Sequence, residues 1–170
     1  MRSRRPTAGR VCGFLFSLFV AATAVGCRSG ADSLRTELSV QQTSWQRQLE
    51  TLRAQQAALR ERFGRQRPSV VAALGASGEA SAARLAASLD GAAQSVVDLD
   101  SQQRQAGAQV EAAIARGTEE GRHALDGVRE RINEQLSALA ADGTALIAEV
   151  DNFGKTESIH TTQNEAEARR

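Results

Sequence analysis

From position 27 to its end the chain has no tyrosine and no methionine, a single tryptophan (Trp45), two phenylalanines (Phe63 and Phe153) and one proline (Pro68). So few aromatics do not fill a broad globular core, but they suffice for a thin seam between helices. Cysteine is scarce as well: Cys12 and Cys27 are the only two, too few for a disulfide framework. β-branched residues are scattered and never alternate as they do in strands. The 21 basic and 20 acidic residues nearly cancel, to a formal +1, and this balance speaks against a nucleic-acid partner. What remains is alanine, glutamine, arginine, leucine and glutamate, the composition of coiled coils and long helices.

The N-terminus has a different character. Arg2, Arg4, Arg5 and Arg10 precede an apolar run, Val11 to Val25, in the order of an export signal. Fifteen helical residues span roughly 22 Å, short of a hydrocarbon core of about 30 Å, which favours a cleaved signal over a transmembrane helix. The run ends Ala24-Val25-Gly26-Cys27. This resembles the lipobox of bacterial lipoprotein precursors, although Ala24 stands where leucine is usual. The resemblance covers the first 27 residues and implies that Cys27 is diacylated and becomes the new N-terminus. Arg28, in place of an aspartate, implies sorting to the outer membrane where that rule applies. Ala22-Thr23-Ala24 offers a competing cut for ordinary signal peptidase, which would leave a secreted chain. Losing four arginines with the signal takes the formal charge from +1 to −3.

Beyond Cys27 the apolar residues are spaced for helices. Leu38, Trp45, Leu52 and Leu59 recur every seven residues, and Gln42, Leu49, Gln56 and Phe63 follow each by four. Spacings of four and three make the seam of a left-handed coiled coil. Asp32 or Ser33 is placed to cap its start. Gln42 and Gln56 within the seam read as a partly wet interface rather than a register-fixing amide pair, and Trp45 reads as a seam anchor. Pro68, Gly75 and Gly78 then predict a break. The four-three spacing resumes through Leu85, Leu89, Ala92, Val96, Leu99, Gln103, Ala106 and Val110 on an alanine-rich face.

From Ile114 the period becomes eleven. Ile114, Leu125, Leu136 and Ile147 form one row; Gly117, Val128, Leu139 and Val150 a second; Gly121, Ile132, Gly143 and Gly154 a third. Eleven residues over three turns favour a nearly straight helix. The phase runs unbroken through Gly117-Thr118, which predicts continuity, while Gly117 followed by Thr118 also reads as a stop and a new N-cap.

The expected fold is all-α: an elongated coiled-coil hairpin with one long helix or, if the chain breaks near Gly117, an antiparallel three-helix bundle. The expected divisions are a signal peptide (1–26), a lipidated N-terminus and short tether (27–33), a heptad helix (34–66), a Pro/Gly break (67–78), an alanine-rich helix with the eleven-residue repeat (79–152) and a polar tail (153–170).

No constellation for catalysis emerges, and no cofactor or metal is expected. Glu120-x-x-His123 resembles half of a carboxylate di-iron motif, but no second copy exists. Gly154-Lys155-Thr156 resembles the end of a phosphate-binding loop, yet Glu149 stands where its first glycine belongs. Arg53, Arg60, Arg62, Arg65 and Arg67 suggest a basic patch for lipid phosphate or an acidic partner, with a solvated helix face as the simpler reading. The expectation is therefore a non-enzymatic coiled-coil lipoprotein that tethers, spaces or scaffolds in the cell envelope. It faces the periplasm from the cell membrane or outer membrane and associates with itself or with a helical protein. The alternative is an amphipathic lipid-handling envelope protein. In plan the chain resembles the small helical lipoproteins that join outer membrane to cell wall. Those end in a linking lysine, whereas Ala168-Arg169-Arg170 ends this sequence, which speaks against attachment to peptidoglycan.

Overall fold

The heptad leucines of the first segment fold into a helix that runs well past its expected end. The computed structural model describes the backbone of residues 14–168, and side chains across 30–156 and at 159, 162, 163 and 166. Helix α1 is Phe14–Leu74, α2 is Ala76–Arg116 and α3 is Thr118–Ala168, and each packs on the other two. The described chain is all-α.

Pro68 does not break α1. A proline inside a helix loses one backbone hydrogen bond and crowds the carbonyl four residues earlier, at a cost of about 3 kcal/mol or more. Here Val70 is fully buried behind it, Phe63 is buried ahead of it, and Val71 and Leu74 pack on the same cluster. Burial on the core face offsets the exposed proline. The expected break over 67–78 thus contracts to one residue, Gly75, and the helix assigned to 34–66 continues to Leu74. Gly75 has φ 57° and ψ −132°, a left-handed conformation that side chains with a Cβ rarely adopt. Its N–H donates to the Val71 carbonyl at 2.8 Å, and its own carbonyl accepts from the Glu79 N–H at 3.0 Å. Both helices therefore close their hydrogen-bonding on a single joint.

The second joint is Gly117, where the expected long helix over 79–152 divides in two. Gly117 is extended, with φ 173°, and donates to the Ala113 carbonyl. Charges suit the break: Arg116 ends α2, Glu119 and Glu120 begin α3, and Arg116 Nε donates to Glu120 across the joint at 2.7 Å. At each joint a second glycine lets the two backbones cross. A Cβ on Gly78 would lie 2.9 Å from the Val70 carbonyl oxygen, and one on Gly121 would lie 2.9 Å from Ile114 Cα.

Contacts fix the directions. Arg35–Glu111, Arg53–Asp100 and Arg60–Asp90 run α2 antiparallel to α1. Glu37–Arg129, Trp45–Asn133 and Arg62–Asp151 run α3 parallel to α1. The result is an up-down-up three-helix bundle, about 60 Å long over the 41 residues of α2. Two apolar clusters fill it. One gathers Leu34 to Leu52, Val96 to Ile114 and Leu125 to Leu136; the other gathers Leu59 to Val70, Ala82 to Leu89 and Leu146 to Phe153.

The ends also differ from expectation. Residues 153–170 were expected to form a polar tail, but α3 continues to Ala168 and buries Phe153 against Phe63, ring centroids 5.4 Å apart. Residues 27–33, expected to be a tether, lie within α1. The signal-peptide assignment over 1–26 falls on side chains outside the described residues.

Candidate functional site

Cys27 lies on the helical path of α1, and its side chain, with those of Ala24, Val25 and Gly26, lies outside the described residues. The bundle side of the junction is defined. A Cβ on Gly30 would touch Thr118 Cγ2 at 3.4 Å, so α1 enters the bundle beside the Gly117 joint. The Gly75 joint and the end of α3 therefore stand at the opposite end from Cys27. Among the described residues no helix is long and apolar enough to cross a membrane.

The seam residues converge on the axis. Leu38, Trp45, Leu49, Leu52, Ile114, Leu125, Val128, Ile132 and Leu136 share the larger cluster, with Leu139 packed against it; Leu59 and Phe63 belong to the smaller one. Ile147 departs from its row and is 39% exposed. The seam of α1 is thus covered by α2 and α3 of the same chain.

Within the larger cluster lies a polar layer. The fully buried Trp45 indole Nε1–H donates to Asn133 Oδ1 at 2.9 Å. Buried Gln103 donates from Nε2 to the Gln42 backbone carbonyl at 3.1 Å, while its Oε1 has no partner. Gly107 faces the Gln42 amide and leaves it room; Gly154 does the same for Gln66. Gln42 and Gln56 are half-buried, and no hydrogen bond joins them to each other. Gln103 was legible as a seam position from its spacing. Asn133 carried no signal, because an exposed asparagine on a helix is ordinary until its partner is known.

The charged clusters resolve into ion pairs. Arg53 reaches Asp100, Arg60 reaches Asp90 and Arg62 reaches Asp151 on neighbouring helices, and Arg65 pairs with Glu61 one turn away. Of the five arginines suggested as a basic patch, four are engaged in this way. Glu120 pairs with Arg116, Asp126 lies near Arg129, and His123 is exposed. Among the described residues no three His, Cys, Asp or Glu side chains are grouped to hold a metal ion. Lys155 is exposed on α3, with no strand before it among the described residues. The surface grooves are solvent-open. One between α2 and α3 is lined by Gln102, Gln105, Gln109, Arg131 and Gln135 over Ala106, and Gln135 donates to Gln102 across it at 2.9 Å.

No protein-family model, curated protein or solved structure matches this chain.

Proposed function

We propose that the mature chain is a non-enzymatic helical lipoprotein of the cell envelope, held to a membrane by lipid on Cys27 and acting as a tether, spacer or scaffold. The observation that carries this reading is the order of the N-terminus: arginines, an apolar run from Val11 to Val25, then Ala24-Val25-Gly26-Cys27 leading directly into a helical rod. A rod of three helices whose seams close within one chain suits a spacer, because its length is set by covalent structure. Its polarity would put the Gly75 joint farthest from the lipid, as the end offered to a helical protein partner or a second copy. The lipid-handling alternative calls for broad apolar faces. Among the described residues the large apolar side chains that are exposed, Val40, Val97, Ile147 and Ile159, are spread over all three helices, and this favours the spacer.

Cys27→Ser is the test. The variant should leave the membrane fraction and lose incorporation of labelled fatty acid, with the rod still folded by circular dichroism. Full membrane retention of Cys27→Ser with the signal removed would overturn the lipid anchor.

A further inference from the structure

The two apolar clusters are separated by a layer without large apolar side chains. On α1, half-buried Gln56 stands between Leu52 and Leu59; on α2, Gly91, Ala92 and Ala93 stand between Leu89 and Val96; on α3, Gly143 stands between Leu139 and Leu146. The pairs Arg53–Asp100 and Arg60–Asp90 bracket this level, and Arg62–Asp151 fixes α3 against it. Gln56, Ala92 and Gly143 therefore lie within about one helical turn of one another along the rod. A layer of alanine, glycine and an amide buries little apolar surface, so it couples the halves on either side weakly.

The halves are also unequal. The half containing Trp45 has the larger apolar cluster and a hydrogen bond between helices from the fully buried Trp45 to Asn133. In the half containing Gly75, Pro68 removes a helical hydrogen bond. These differences lower the free energy needed to separate the Gly75 half relative to the other.

We propose that the Gly75 half opens as a unit at the Gln56–Ala92–Gly143 layer while the Trp45 half stays folded. Opening uncovers Phe63, Leu85 and Leu89 on the segments joined at Gly75, and Phe153 on the last part of α3. The freed helical stretches are marginal alone, so their amides exchange with solvent. The inference rests on the fold and is independent of the lipid at Cys27.

Hydrogen exchange read by mass spectrometry on the full mature protein tests it. Peptides spanning 78–92 and 146–156 should be protected at least about tenfold less than those spanning 96–114 and 124–136. Two exposed helical glycines whose added Cβ meets no neighbour give matched probes, Gly91 in the layer and Gly127 in the Trp45 half. Gly127→Ala should slow exchange about fivefold in the Trp45 half and leave the Gly75 half unchanged, while Gly91→Ala slows both. Equal protection of the two halves in the native protein, or an equal response of both to Gly127→Ala, would overturn the proposal in favour of one cooperative unit.

Discussion

The hydrogen bond between Trp45 and Asn133 gives a prediction in which one substitution changes sign with its background. The indole is fully buried and its N–H reaches Asn133 Oδ1 at 2.9 Å, whereas Asn133 itself is exposed. Asn133→Ala leaves a buried donor without its acceptor, a loss of about 1–3 kcal/mol. Alanine returns about 0.5 kcal/mol through better helix propensity. The net expectation is a destabilisation of about 0.5–2.5 kcal/mol. Trp45→Phe removes the donor and part of the ring, so in that background Asn133→Ala has nothing to orphan and should stabilise by about 0.5 kcal/mol. Trp45→Ala, which empties the site, should cost about 3–5 kcal/mol, a large share of the stability of a domain this size. Urea unfolding followed by helical circular dichroism measures all four proteins, and the double-mutant cycle isolates the coupling. If Asn133→Ala has the same sign and size with Trp45 and with Phe at that position, the hydrogen bond contributes nothing and the reasoning fails.

The two joints should respond differently to the same change. Gly75→Ala should destabilise by about 1–3 kcal/mol because its backbone is left-handed, whereas Gly117→Ala, on extended backbone with open space for a Cβ, should stay within about 0.5 kcal/mol in thermal melts. Gln103→Leu should raise stability by about 1 kcal/mol, since it replaces a buried amide with one unpaired oxygen; a lower melting temperature would mean that the amide stabilises the bundle.

The seam was legible because burial follows side-chain spacing: Leu38, Trp45, Leu52 and Leu59 could form one face of a helix and little else. The joints were harder to read. Pro68 looked like the break, since local rules register its missing N–H but not the burial of Val70 and Phe63 on the far side of the same helix. At Gly117 the sequence offered both continuity and a stop before Thr118, since the eleven-residue phase reports which face is apolar and not whether the axis reverses. A chain that turns back through one residue keeps its apolar face inward, so Ile114 and Leu125 stay in phase on two different helices. The more telling signal was the glycine pairing, Gly75 with Gly78 and Gly117 with Gly121, which supplies a joint and then a crossing point. The ion-pair partners of the arginine cluster were hidden for another reason. Sequence neighbours show Glu61 alone against five arginines, while Asp90, Asp100 and Asp151 arrive only when α2 and α3 fold alongside.

Three helices with one-residue joints put the start of α1 and the end of α3 at opposite ends of the rod. Tension applied between those ends therefore draws α1 and α3 past each other along their length, and does not peel them apart one contact at a time. Every layer from Leu34 to Phe153 shares such a load at once, along with the ion pairs that tie α1 to α3. A two-helix hairpin brings its ends together and would unzip under the same pull. Under such a pull the third helix would make the bundle bear load in shear.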